Sequence, residues 1–135
     1  MAQGKIICDT DVLIDYFDSL KVRYSATLNI INEKIRTGNV VLSAITKMEL
    51  IAGVGNNHEL QLLSSNISGF QLLLINPKIS STAIGLFEIY KLSHNLALPD
   101  AIIAATAIVT KVPLFTYNLQ DFRFIDNLQL YQFNR

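Results

Sequence analysis

The feature that most narrows the fold is an alternation. Short apolar runs rich in β-branched residues recur along the chain, each ending in polar or turn-forming residues, and stretches with helical spacing separate them. A run such as Ile6-Ile7-Cys8 has no polar face, so as a strand it must be covered on both sides, as in a parallel sheet between helical layers. The chain therefore reads as α/β, a sandwich with a central, mainly parallel sheet.

Lys5 to Cys8 is expected as a buried strand that turns at Asp9 into a helix burying Val12, Leu13, Tyr16 and Phe17. Tyr24 to Arg36 carries Leu28, Ile31 and Ile35 at helical spacing, and Gly38-Asn39 stops it before a second strand at Val40 to Leu42. Ser43 or Thr46 caps the next helix, which holds Met48, Glu49, Leu50 and Ala52 and breaks at Gly53 and Gly55. Asn56 or Asn57 caps a short helix through Leu63, and Phe70 to Ile75 forms a third strand. A helix runs from Ser80 to Asn95; Pro99 imposes an extended residue before it, and Asp100 opens a helix through Val109. Leu114 to Thr116 is a short strand, a turn at Asn118 leads into Gln120-Asp121-Phe122, and a last strand lies around Leu130 to Phe133.

One domain, residues 1–135, accounts for the whole length: a chain of this size buries roughly two-thirds of the surface its unfolded form exposes, and no second core fits. Eleven basic residues balance eleven acidic ones, so no global field draws the protein to nucleic acid or to an anionic membrane. Any phosphate-binding surface must be local. The single Cys8 cannot form an internal disulfide and reads as a buried thiol in a reducing, cytoplasmic setting. The opening MAQGKIICDTDVLID meets carboxylates too early for a secretory signal, and the longest apolar-rich stretch, Ala101 to Val109, falls far short of the roughly 20 residues that cross a bilayer. A mean hydropathy of +0.34 points to an apolar interface, covered by a second copy or by a bound partner.

Seven Asp and four Glu are present, and their placement is what matters: Asp9 directly follows a buried strand, Asp100 opens a helix after Pro99, and Asp121 lies just after a strand. In a parallel sheet flanked by helices these positions open on the same edge, where ligands bind. A lone Asp at such a place is usually a turn or helix cap, which is the ordinary reading of Asp100 by itself. Convergence changes that weighing. Carboxylates brought together repel and resist desolvation, so a folded cluster calls for a cation, and hard oxygen donors select Mg²⁺ or Mn²⁺. His58 and His94 have no partner at zinc-ligand spacing, and no G-x-S-x-G segment supports serine catalysis. Asp15 and Asp18 read as solvated or capping residues, with Asp11 and Asp15 as i,i+4 neighbours on an exposed helix face.

Four segments carry a family resemblance. IICDTDVLID is similar to the opening motif of PIN domains, SAITKMELIAG to their second, LPDAIIAATA to their third and FTYNLQDF to their fourth. They occur in order over nearly the whole chain, which resembles in particular the VapC-type ribonuclease toxins of bacterial toxin–antitoxin pairs. The resemblance implies a PIN-like α/β/α sandwich and a Mg²⁺- or Mn²⁺-dependent endoribonuclease leaving a 5′-phosphate and a 3′-hydroxyl. It makes Asp9 the central metal ligand, Glu49 and Asp100 further ligands or water-mediated partners, and Asp121 the acid completing a second, weaker metal position. Thr116 would hold the fourth motif by hydrogen bonding. Position 11 is Asp where many relatives carry Asn or Ser, which adds charge to the site. Position 118 is Asn where some carry Asp, which leaves Asp121 as the acid and Asn118 to orient a ligand or phosphate. As partners the resemblance implies an RNA, with tRNA or another structured RNA among the candidates, a cognate antitoxin covering the site, and a second copy of the chain in a homodimer.

Lys47, Lys111 and Arg123 flank three of the motifs and are either backbone contacts or ordinary surface charges. Tyr117 is placed to stack a base, whereas Phe122 is expected in the core. Asp9-Thr10-Asp11 also resembles the first motif of haloacid-dehalogenase-like phosphatases, with Ser43 and Lys111 in later roles. Val12-Leu13 in place of the usual Gly-Thr weakens that reading, and it leaves Glu49 and Asp100 without a task. The non-enzymatic alternative is a PIN-like scaffold that binds RNA or protein without cutting, and metal binding without cleavage would mark it.

Overall fold

The structure, a computed structural model, describes residues 4–134; expectations that reach residues 1–3 and 135 lie outside that range. β1 (Ile6–Cys8) is central and pairs on both sides, with β2 (Val40–Ser43) and with β4 (Leu114–Phe115), while β3 (Gln71–Leu73) lies outside β2. All three pairings are parallel, giving the order β3-β2-β1-β4. The register sets Ile7 opposite both Val41 and Leu114, so one transverse row of side chains points to a single face.

That face packs on α5 (Pro77–His94) and α6 (Leu98–Thr110), where Ile7, Val41 and Leu114 join Ile79, Ala83, Ile103, Ala104 and Phe122. The alternate residues Ile6, Cys8, Val40, Leu42 and Phe115 point the other way, against Val12 and Leu13 of α1 (Thr10–Phe17) and against Ile31 and Ile35. Period-two alternation thus feeds two cores from strands apolar on both faces, which is why the runs contain no polar break. The layers are helix, sheet and helix, as the alternation of the sequence requires. Cys8 is fully buried within the sheet.

Several boundaries move for identifiable reasons. α2 (Tyr24–Asn29) widens into a π-helical segment, Ile30–Ile35, which buries Ile30, Ile31 and Ile35 together. Arg36, at φ 77°, ends it, so Gly38 is not the stop. α3 (Ala44–Ala52) is capped by Ser43, whose hydroxyl accepts from Thr46 N at 3.1 Å. α4 (Asn57–Ile67) runs past Leu63, started by Asn56, whose side-chain oxygen accepts from Glu59 N at 2.9 Å. α5 begins at Pro77 rather than Ser80 because Asn76 caps Ile79 N at 2.8 Å and proline needs no partner in a first turn. For the same reason α6 begins at Leu98 and carries Pro99 in its first turn, ahead of Asp100. The third strand is trimmed to three residues. The expected last strand reduces to one bridge between Leu130 and Leu114, because Tyr131 and Phe133 pack their rings 5.3 and 5.4 Å from that of Phe115 instead of extending the ladder. Among the described residues no helix is long and apolar enough to cross a membrane.

Ile7 is fully enclosed at the centre of the sheet, whereas Leu92 on α5 is 96% exposed. Ile7→Ala is expected to cost about 2–5 kcal/mol of stability in urea denaturation, and Leu92→Ala less than about 0.5 kcal/mol; equal effects would contradict this packing.

Candidate functional site

The chain builds outward from β1 to β2 and β3, then returns to place β4 on the opposite side of β1. At such a reversal a crevice opens beyond the carboxyl ends of the two strands. Asp9 leaves β1 there and Thr116 leaves β4, and the pairing of Asp9 N with Phe115 O at 2.9 Å holds them side by side.

Asp9 is buried and both of its oxygens are held. It caps α1 by accepting from Thr10 N at 2.8 Å, and its other oxygen accepts from the Thr116 hydroxyl at 2.8 Å. Thr116 in turn accepts from Asn118 N at 3.1 Å, which ties the fourth motif to the first. The Thr10 hydroxyl lies 2.6 Å from Glu49 Oε1 and 3.2 Å from the Thr46 hydroxyl, so its single proton belongs to the shorter contact and orients Glu49 toward Asp9. Asp11 accepts from Tyr117 N at 3.1 Å with one oxygen. Its other oxygen is buried with no donor, and its carboxyl lies against that of Asp9.

Asp100 stands in the first turn of α6. The cap position belongs to Ala97, and Asp100 makes no side-chain hydrogen bond among the described residues, so the capping reading does not apply. Burial, followed by the charges of Asp9, Asp121, Glu49 and Asp11, pushes its carboxyl up to about 7. Burial and the charge of Asp9 push Asp11 up to about 7 as well. Asp9 is raised by burial against the pull of its Thr116 and Thr10 bonds. Asp121 closes the short 3-10 turn Leu119–Asp121 at the exposed rim, and Asn118 beside it is exposed with its side chain unbonded among the described residues. Asp9, Asp11, Glu49, Asp100 and Asp121 therefore share one field.

The donor set suits a hard divalent cation: every candidate group is an oxygen, one buried oxygen lacks a donor, and burial together with neighbouring negative charge raises Asp11 and Asp100 to about 7. Among the described residues no three of these groups stand close enough together to hold an ion as they are placed. His58 and His94 are both exposed, the latter stacked 4.1 Å from Phe124.

One expectation about charge is corrected. Asp15 is not a solvated residue: it is 6% exposed and paired with Arg23 Nε at 2.7 Å, because one turn of α1 after Asp11 its side chain meets the start of α2. Asp18 does serve its turn, accepting from Leu20 N at 3.0 Å. Lys47 points into a cleft with Leu42, Ile67 and Phe70. Lys111 caps the far end of α6, about 16 Å along the axis from Asp100, so it does not join Asp9 in a phosphatase-like arrangement, and Ser43, at the end of the strand next to β1, uses its hydroxyl to cap α3. Arg123 lines a hollow with Leu130 and Phe133. Among the described residues the cation that acts on Asp11 is Arg23, whose charge lowers its proton affinity. Sequence reading missed Arg23, and it passed over Thr10 although that residue sits between two acids at a helix start. Tyr117 is half-buried with its hydroxyl 2.6 Å from that of Thr27, and Phe122 is in the core.

The PIN domain family model matches residues 6–127. A ribonuclease VapC1 of Methanocaldococcus jannaschii is 29% identical over 122 residues, covering 89% of this chain and 80% of that protein. Among solved structures, a toxin-antitoxin complex from Klebsiella pneumoniae contains a chain 31% identical, with a TM-score of 0.72 over 92% of this chain and 95% of that one. A DNA-bound VapBC from Salmonella typhimurium, 20% identical, shares the fold with a TM-score of 0.78, covering 97% and 99% of the two chains.

An acid whose folded pKa is raised keeps a proton that the unfolded chain has already released, so folding is favoured on the acid side and stability falls as pH rises. For Asp11 and Asp100 the window runs from about 4 to about 7. In EDTA the melting temperature is expected to fall by about 5 °C between pH 5 and pH 8, with the Asp11→Asn and Asp100→Asn variants each flattening the profile. A profile flat in the parent protein would remove the electrostatic account.

Proposed function

Because the chain belongs to the PIN domain family, we propose that it is a Mg²⁺- or Mn²⁺-dependent endoribonuclease, the toxin of a toxin–antitoxin pair, with residues 1–135 as one catalytic domain acting in the cytoplasm. The observation that carries the reading is the convergence of Asp9, Asp11, Glu49, Asp100 and Asp121 on one crevice, where burial and mutual repulsion raise Asp11 and Asp100 to about 7. A bound divalent ion supplies charge stabilisation on a phosphodiester and activation of an attacking water.

The chain's own residues prepare that chemistry. Thr10 N and the Thr116 hydroxyl fix the plane of Asp9, leaving its remaining lone pairs aimed into the crevice. Thr10 holds Glu49 at 2.6 Å, so the second motif is positioned through the first. Asp11 and Asp100, raised to about 7 by burial and neighbouring negative charge, would have to give up protons to hold an ion, so binding is expected to strengthen as pH rises. Asp121 and Asn118, at the exposed rim, stand where a substrate phosphate enters. Water attack on phosphorus with the 3′ oxygen leaving gives a 5′-phosphate and a 3′-hydroxyl.

The toxin-antitoxin complex that contains the Klebsiella pneumoniae relative supports an antitoxin as partner, and the crevice is the surface we propose it covers. An apolar groove of about 350 Å³ between α5 and α6, lined by Ile75, Ile79, Ile84, Phe87, Leu98 and Ile102, is assigned to a second copy of the chain. It begins at Leu98, two residues before Asp100, so a symmetric partner seated there would wall the acidic crevice on that side.

End-labelled total RNA and tRNA incubated with purified protein are expected to be cut in Mg²⁺ or Mn²⁺, to survive in EDTA, and to survive with Asp9→Asn, whose activity should drop at least about 100-fold. Metal binding with no cleavage of any RNA would convert the reading to a binding module.

A further inference from the structure

Arg23 is held as a surface arginine rarely is. Its Nε donates to the buried Asp15 at 2.7 Å, and its guanidinium carbon lies 4.1 Å from the ring centroid of Tyr117. Tyr117 is itself fixed, by Thr27 at its hydroxyl and by Asp11 at its backbone N–H. An arginine serving only to neutralise Asp15 would offer its paired fork. Here a single N–H is used, no other side-chain hydrogen bond is made among the described residues, and the side chain is 50% exposed. The four N–H groups of the two terminal nitrogens therefore remain open, in a group immobilised beforehand at Nε and on one face.

The position matters as much as the posture. Arg23 stacks on Tyr117, whose backbone N–H donates to Asp11, and Tyr117 directly follows Thr116, the residue that holds Asp9. The crevice concentrates five carboxylates, and one divalent ion offsets only part of that charge, so a polyanionic strand entering it is repelled unless a fixed cation stands at the mouth. Lys47 and Lys111, which adjoin the motifs in sequence, face elsewhere.

Building on the endoribonuclease reading, we propose that Arg23 is the phosphate-binding residue of the site: its open terminal N–H groups receive a backbone phosphate of the bound RNA, while Asp15 and Tyr117 act as positioning residues. A guanidinium suits this because two parallel N–H groups match two phosphate oxygens, a geometry lysine cannot reproduce. Asp15 being buried and Tyr117 being bonded at both ends explain why an acid and an aromatic outside the metal cluster are built so firmly beside it.

The test compares the parent protein with Arg23→Gln and Arg23→Lys on an RNA the parent cleaves. Arg23→Gln should lower kcat/KM by about 10–100-fold, chiefly through KM, and make log kcat/KM against log salt shallower by about 0.7, the loss of one single-strand phosphate contact. Arg23→Lys should recover the salt slope but not the full kcat/KM, and Mn²⁺ affinity by calorimetry should not fall in either. Since Arg23→Gln strands the Asp15 charge, Arg23→Gln/Asp15→Asn is made alongside and should behave alike. Parent-like kcat/KM and slope in these variants, or Mn²⁺ affinity lost along with activity, would overturn the proposal. If the parent cuts no RNA, the nuclease reading fails separately, and Arg23 is judged by RNA affinity in Ca²⁺: weaker binding by Arg23→Gln supports the phosphate contact, and equal binding rejects it.

Discussion

Asp9 is the point on which the rest of the molecule turns. It is the first residue beyond the central strand, and its burial requires that its charge be met by donors fixed in advance. Two are supplied, Thr10 N from the helix it caps and Thr116 from the neighbouring strand, so one carboxylate joins β1, α1 and β4. The second hydroxyl of this network, that of Thr10, reaches Glu49 and brings α3 into register with the same point. Through these bonds three motifs far apart in the chain are tied to a single side chain. The stability of the sheet and the geometry of the site are therefore not separate matters: the parallel pairing that places Asp9 beside Thr116 also fills both cores.

Such an arrangement gathers like charge where water is scarce. Asp11 and Asp100 respond by holding protons into the neutral range, and one oxygen of Asp11 has no donor at all. A protein with equal numbers of acidic and basic residues thus carries a negative crevice, with Arg23 held beside it on Asp15 and the Tyr117 ring. The pairing of Arg23 with Asp15 costs desolvation that a hydrophobic pair would not. Its retention is understandable if the fixed orientation of the guanidinium is what the fold preserves.

The opposite side of the molecule follows another logic. α5 and α6 cover the sheet, yet Ile84, Ile89, Leu92 and Leu98 remain exposed around an apolar groove. The chain's high mean hydropathy arises partly here. Apolar side chains set in a row beside a charged crevice give the molecule two surfaces of contrasting chemistry that meet at the start of α6.

The strand and helix alternation, a helix cap at Asn56 or its neighbour Asn57, the burial of β1, and the placing of Asp9, Asp100 and Asp121 at strand and helix ends were all legible in the sequence, because each depends on periodicity or on residues within one turn of each other. So was the likeness of four ordered segments to PIN domains, which carried Glu49, Thr116 and Asn118 into the candidate site. What a side chain faces was not legible, because that depends on which element packs against it. Asp15 looked solvated and is buried, because α2 begins over it. Lys47 and Lys111 looked close to the site and point elsewhere, because one lies on the α4 side of its helix and the other at the wrong end of a thirteen-residue helix. Thr10 and Arg23 carry no signal of their own in the sequence; they acquire roles only when β1, α2, α3 and β4 are brought together, since a hydrogen bond or ion pair between distant residues is decided by the tertiary structure alone.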